Sequence, residues 1–434
     1  DNDALILKGR LAARAGDYTT AINSFRTVLK DQPDSGEVLQ LLATAHYAND
    51  EKELAKDTLS RAIDSNPDKF GLRLNMARFL ADEKDVDGAL AQLDEILKRD
   101  KYNEDALRLK YELLALKNDA EGMDEVTRLM QTGAPEKEEG YLREARLRYA
   151  QKDYDAALEI AGTMLEKFPE SVGALRLQAD VFGAQKKYDD GIAATDKIIQ
   201  LYPDSAEGYY RKGKLLPTKD AHAAALQQNE LALEKAPDSA DVLKEVVVLE
   251  VRVRGADAAE QRLQALLKEQ PDHPQANGLI AKVYAAEQEY VAAEKSLRKQ
   301  IGLNPDSAAY SELAQLRIMQ KDLAGAGSVY EEGLVANTDN VSLMIGLAGV
   351  RERLGDYEAA ISLYEKVLTL QPGNAVSVNN LAALLSDHRT DQASLDKALK
   401  MAEVLGKTNQ PAFLDTAGWI YYRTGDYEKA LEIL

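Results

Sequence analysis

The chain has 434 residues, 73 of them acidic against 54 basic, for a formal charge of −19; that balance excludes a general binder of nucleic acid or anionic membrane, which needs net positive faces. No cysteine and four histidines occur, which excludes disulfides, thiolate metal sites and a cysteine nucleophile and leaves little for an imidazole-built metal centre. A hydrophobic content of 45% beside 29% charged residues fits a folded chain rather than a disordered one.

At the amino end, DNDALILKGR has no initiator Met, no basic leader and no long apolar stretch. From Asn2 onward the apolar residues recur at helical spacing, in pairs of helices, A and B, of constant length. Pro33, Pro67, Pro135, Pro169, Pro203, Pro237, Pro271 and Pro305 stand 34 residues apart, or 68 across Lys101. After a one-residue deletion the series resumes with Thr338 and Pro372. A proline cannot continue a helix and turns its predecessor away from helical angles, so each should end a helix B. The acid after it, as at Asp34, Asp68, Glu136, Glu170 and Asp306, falls near the positive end of the next helix A, which explains part of the negative charge structurally. Units are expected to start near residues 2, 36, 70, 104, 138, 172, 206, 240, 274, 307, 341, 375 and 411, the last one truncated.

Two columns of small residues should let A and B approach. Position 8 of each unit reads Gly9, Ala43, Ala77, Tyr111, Ala145, Ala179, Gly213, Val247, Ala281, Ala314, Ala348, Ala382 and Gly418. Position 20 runs from Ala21 and Ala55 to Ala398 and Ala430, with Met123 as its large exception. Three places depart from the pattern. Residues 104–137 carry Tyr111, Met123 and Thr127 at marker positions, so packing there should change. Pro217 falls within a helix A and should shorten or kink it. Between Ala360 and Ala398 the spacing is 38, so 386–396 (SDHRTDQASLD) should be a longer loop between helices. The longest apolar run, Val246-Val247-Val248-Leu249, is broken by Glu250 and far too short to span a bilayer. The carboxy end, GDYEKALEIL, stops inside a helical pattern, and both ends read as cut, so a signal peptide or lipid anchor would lie outside these residues.

The fixed period, the late proline, the small columns and the recurring turn at Gly16-Asp17-Tyr18, Lys152-Asp153-Tyr154, Gly355-Asp356-Tyr357 and Gly425-Asp426-Tyr427 resemble the tetratricopeptide repeat proteins over the whole chain. The resemblance implies an all-α, single superhelical solenoid over residues 1–434, of about twelve helix-turn-helix repeats plus a truncated thirteenth. It also implies that helix A lines an inner, concave groove where peptides are held near positions 2, 5, 9, 12 and 13. In that register Arg78, Arg108, Arg146, Arg176, Lys214, Lys244 and Lys282 follow one another at gaps of 30 and 38 in alternation, with Arg10 ahead of them. Positions 5 and 9 lie one turn apart on one helix face, so these cations form a staggered line suited to acidic segments or a terminal carboxylate. The competing reading is a salt-bridge ladder, since Arg108 and Glu112, like Arg176 and Asp180, are four residues apart on one helix. Tyr47, Tyr149, Tyr210 and Trp419 could add flat contact area, although tyrosines at helical spacing also serve packing. Asn379 and Asn380 resemble part of the family's carboxylate clamp, but Ala383 stands where a basic residue is required.

Catalytic patterns are poor. His46, His222, His273 and His388 have no metal-ligand spacing; His388 with Asp387 and Asp391 is the one combination that could hold a metal, and no metal or cofactor is expected. Gly325-Ala326-Gly327 lacks the third glycine of a phosphate cradle. The expectation is therefore a non-enzymatic scaffold for a partner protein, held as an extended or helical segment in the groove. It has no nucleic-acid partner and no transmembrane segment, and self-association is left open. The carboxy-terminal sequence is similar in texture to bacterial envelope tetratricopeptide lipoproteins of exopolysaccharide-export and exosortase systems. That likeness implies the periplasm or an outer-membrane lipoprotein, with the cytoplasm as alternative, and an organising role in secretion or polymer export. The alternative ligand is an anionic polysaccharide bound directly along the basic line.

Overall fold

Among the described residues most helix pairs are closed by one kind of turn. In the computed structural model, which describes residues 1–216, 221–273 and 275–433, helix A of the first repeat ends in a tight turn in which the Asp17 amide donates to the Ala12 carbonyl at 2.9 Å. Gly16 takes a left-handed φ of 83° there, and the Asp17 carboxylate accepts from the Thr20 amide at 3.0 Å, capping helix B. Asp85, Asp119, Asp153, Asp322 and Asp356 cap their helices in the same way. The recurring turn is thus a left-handed residue, an acidic cap and the first residue of helix B.

Helix B ends as the prolines require. The residues before them are extended, with φ of −131° at Gln32, −137° at Asn66, −129° at Phe168 and −135° at Gln371. Where Lys101 replaces proline, helix B stops sooner, at Leu97, and its cap Lys98 keeps helical angles. Several helices A are capped by the residue after the acid, as by Ser171, Ser239 and Asn340; Asp306 is an acid that caps directly.

The chain divides into two units, Asp1–Leu216 and Pro217–Leu434. The first holds α1 (Asn2–Arg14), α2 (Tyr18–Asp31), α3 (Gly36–Ala48), α4 (Lys52–Ser65), α5 (Phe70–Asp82), α6 (Val86–Leu97), α7 (Glu104–Leu116), α8 (Ala120–Gly133), α9 (Glu138–Ala150), α10 (Tyr154–Lys167), α11 (Val172–Ala184), α12 (Tyr188–Leu201) and α13 (Ala206–Leu215). The second holds α14 (His222–Lys235), α15 (Ala240–Arg254), α16 (Ala256–Glu269), α17 (Ala276–Ala286), α18 (Tyr290–Leu303), α19 (Ser307–Met319), α20 (Leu323–Ala336), α21 (Val341–Arg353), α22 (Tyr357–Leu370), α23 (Ala375–His388), α24 (Gln392–Leu405), α25 (Pro411–Thr424) and α26 (Tyr427–Ile433). No strand occurs among the described residues. Odd-numbered helices are A and even-numbered are B. Within each unit a B helix packs against its own A and the A that follows, and successive A helices also touch, as α9 and α11 or α23 and α25 do.

The small columns lie where A and B come closest: Ala43, Ala77, Ala145, Ala21, Ala157 and Ala360 are all fully buried. A Cβ on Gly9 would stand 2.5 Å from the Phe25 ring, so a larger residue there would push the two helices apart. In residues 104–137 the altered markers make contacts of their own. Tyr111 reaches the next repeat, its hydroxyl donating to the Arg143 carbonyl at 3.2 Å beneath the Arg143 guanidinium, while Thr127 is fully buried and donates to the Asp124 carbonyl.

Helix α13 has 10 residues and ends at Leu215, short for an A helix; Pro217 itself lies outside the described residues. The expected long loop at 386–396 is corrected. Only residues 389–391 connect α23 to α24, because Asp391 caps α24 by accepting from the Ser394 amide. The extra residues lengthen α23 by one position and start α24 earlier relative to Ala398, since a good cap and helix-forming residues make added turn cheaper than added loop.

Candidate functional site

The A-helix face was expected to carry one line of cations, and the structure sorts them into two kinds. Arg108 on α7 donates twice to Glu139 on α9, at 3.0 and 2.9 Å. Arg143, one turn after Glu139, donates to the same carboxylate and lies 3.6 Å from Glu112. Two A helices are thereby joined by a square of four charges. The same square recurs two repeats later. Arg176 on α11 meets Glu207 on α13 at 2.5 Å, and Arg211 bonds both Glu207 at 2.9 Å and Asp180 at 2.7 Å. Hydrogen bonds from Arg108 first, and then from Arg143, pull the Glu139 carboxyl down to about 2 against the opposing effect of burial. At Glu207 burial is the largest influence and would raise the pKa, but Arg176 and Arg211 together hold it below the usual carboxylate range.

The partners of Arg108 and Arg176 differ from those of the ladder considered above, Glu112 and Asp180. Side chains on a helix lean toward its amino terminus, so Arg108 points away from Glu112 while Arg143 leans back onto Glu139. An acid four residues before a base is the favourable order, and the reverse is not. Glu139, Arg143, Glu207 and Arg211 were missed in the sequence, yet they carried a signal: base, acid, acid, base at 108, 112, 139 and 143 repeats 68 residues later at 176, 180, 207 and 211.

Arg10 pairs with Glu37 at 2.5 Å and Lys282 with Glu312 at 2.7 Å. The remaining cations are different. Arg78, Arg146, Lys214 and Lys244 are exposed and have no ion pair among the described residues. Arg78 has only a 3.4 Å contact to the Asn75 side chain, and the Lys214 ammonium stands 5.5 Å from the Tyr210 ring centre. Arg78, Arg146 and Lys214 occupy position 9 on α5, α9 and α13 of the first unit. Lys244 sits on α15 of the second unit, where Val248, Gln275 and Leu279 stand in place of the residues that complete a square.

The aromatic candidates serve packing first. Tyr47 stacks on Phe79 with ring centres 4.2 Å apart, and Tyr149 lies 5.8 Å from Tyr154. Trp419 is 44% exposed. Its indole nitrogen donates to Asp387 at 2.8 Å, and its ring lies 5.6 Å from Tyr422, which in turn meets Tyr427. Together with Asp415 and Leu431 these rings border an open groove of about 810 Å³. Asn380 donates to the Tyr364 hydroxyl at 2.9 Å, so half of the clamp-like pair is engaged in the core.

The metal combination at the end of α23 does not assemble. His388 stacks on Tyr357, Asp387 holds Trp419, and Asp391 caps α24. Among the described residues no group of three or more His, Asp and Glu could hold a metal ion, and no helix is long and apolar enough to cross a membrane.

Three family models described as tetratricopeptide repeat match this chain. One matches residues 12–69, a second matches 142–206, 178–240 and 248–308, and a third matches 343–376. Among solved structures the chain is similar to the yeast Tom70, at 14% identity with 98% of this chain and 96% of that one covered and a TM-score of 0.47. It is also similar to Naa15/Naa10 bound to HypK-THB, at 14% identity, 100% and 75% coverage and a TM-score of 0.38. No curated protein matches.

Proposed function

Because the chain belongs to the tetratricopeptide repeat family, whose models together match more than half of it, we propose that it is a non-enzymatic scaffold holding an acidic segment of a partner protein on its A-helix face. The observation that carries this reading is the contrast between paired and unpaired cations. Arg108 and Arg176 are spent on holding neighbouring A helices together, whereas Arg78, Arg146 and Lys214 face solvent without a carboxylate. An arginine in that condition offers a two-pronged contact to an incoming carboxylate. These unpaired cations stand two repeats apart in register, a spacing that suits separate acidic side chains of a peptide better than a continuous polyanion such as a polysaccharide. Replacing Arg78, Arg146 and Lys214 with Glu tests it. Partners captured by the full-length protein should be lost while helicity and melting are unchanged; unaltered capture would overturn the reading.

The narrower role, organising a bacterial secretion or exopolysaccharide-export assembly from the periplasm as an outer-membrane lipoprotein, is supported by the resemblance of the carboxy-terminal sequence alone. Fractionation of cells making the full-length protein tests it, and recovery in the cytosol would overturn it.

A further inference from the structure

A second charged surface lies in the second unit. Helices α16, α17 and α18 enclose an open groove of about 890 Å³. Its floor is apolar, made by Leu267, Ile280 and Tyr284, and its rim carries Lys268, Lys295 and Lys299. All three lysines are exposed, and none makes an ion pair among the described residues; Lys299 donates to the Pro271 carbonyl at 2.7 Å, which fixes its ammonium at one end. Glu260, two turns before Lys268 on α16, is taken by neutral donors, the Tyr284 hydroxyl at 2.9 Å and the Gln264 amide at 2.6 Å. The floor also contains Asn277, which is 3% exposed and whose amide nitrogen has no hydrogen-bond partner. A buried donor left unpaired is costly, and an incoming acceptor relieves it.

This grouping is not a general property of the repeat. The three lysines occupy position 29 of one repeat and positions 22 and 26 of the next. At the same places other neighbouring repeats have Asp64, Ala91 and Glu95, or Glu166, Ala193 and Lys197, or Glu234, Gln261 and Ala265. The nearest approach, Lys30, Asp57 and Arg61, includes an acid. In a chain with a formal charge of −19, three uncompensated cations around an apolar floor and a vacant buried donor form a surface complementary to an acidic peptide that also carries apolar side chains.

We propose that the groove between α16 and α18 is a second docking site, taking an extended acidic segment of a partner protein. Its carboxylates meet the three ammonium groups, an apolar side chain covers Ile280 and Tyr284, and a backbone carbonyl accepts from Asn277. This site is separate from the A-helix face and does not depend on its ligand.

The test uses the full chain and a short fluorescein-labelled peptide in which glutamates flank two leucines, followed by fluorescence anisotropy at low salt. The combined K268Q, K295Q and K299Q variant, which alters only exposed side chains, should weaken binding about tenfold or more. The peptide with glutamines in place of its glutamates should bind no better to the unaltered protein than the acidic peptide binds to that variant. In an Arg146→Glu background the three lysine replacements should still weaken binding by the same factor, which separates the groove from the A-helix face. Absence of saturable binding, or binding indifferent to the three lysines, would overturn the proposal. So would dextran sulfate binding as tightly as the peptide and competing with it, since that would make the groove a general polyanion surface.

Discussion

The left-handed residue that closes each A helix is occupied unevenly. Gly16, Gly355 and Gly425 adopt it freely at φ of 81 to 88°, but the same place is held by Lys84, Lys152, Lys186 and Lys321 at 60 to 66°. A side chain in this region costs about 1 kcal/mol, and these lysines project from the surface. Lys152→Gly should therefore raise stability by about 0.5–1 kcal/mol, read as a higher urea midpoint with unchanged helicity. Glu139 gives a second expectation. Its carboxyl is held at about 2 when folded, below the value near 4.3 of a free glutamate. The ionised group therefore stabilises fully above the unfolded value, and that contribution is lost as pH falls through the folded one. Urea unfolding of wild type and Glu139→Gln should differ most above about pH 5 and converge near about pH 2; a gap independent of pH would contradict the Arg108 and Arg143 contacts. The turn itself was legible because Gly, Asp and Tyr recur together. The partners of Arg108 were not, because one helix taken alone offers Glu112, and only the direction of side-chain lean and the neighbouring helix show that Glu139 is chosen.

Among the helices, α14, α15 and α16 share a network that the periodicity conceals. Glu250 of α15 is 3% exposed, within a run otherwise read as apolar. It accepts from Arg254 at 2.9 Å and from Arg262 of α16 at 2.5 Å, and both arginines also reach Glu230 of α14. Burial alone would raise its pKa, yet Arg262 and Arg254 hold it below the ordinary value. Removing one partner of a buried pair leaves an uncompensated charge. Glu250→Ala should thus cost about 3–5 kcal/mol, with hydrogen exchange accelerating in α14 to α16 and little change in α20 to α26. Helix positions could be read from the prolines and small columns because both have a direct steric cause. The connection after α23 was misread because counting spacing between two alanines cannot distinguish residues added to a loop from residues added to a helix end.

At the level of the whole molecule, repetition makes the chain divisible, since each helix pair is stabilised by its own contacts and by its immediate neighbours. Removing residues 138–205 deletes two repeats and places α13 where α9 stood. Glu207 and Arg211 then occupy the positions of Glu139 and Arg143, so Arg108 and Glu112 regain their partners. Removing residues 138–171 instead brings Gly173 and Leu177 to those positions. Both products should keep the mean residue ellipticity of the parent, and the first should melt higher than the second; the opposite order would show that the squares contribute nothing to the stack. The general plan was visible in the sequence because it is periodic, whereas the two units are defined by contacts that no period encodes.

From Arg78 on α5 to Lys214 on α13 the alternation of paired and bare cations gives this stretch a parity. Within that stretch, insertion or loss of an even number of modules conserves both the stitching between neighbouring A helices and the rhythm of open binding positions, whereas loss of a single module breaks a square. Between α5 and α13, lengths differing by multiples of 68 residues would leave the same docking code, and a change by a single module would interrupt it.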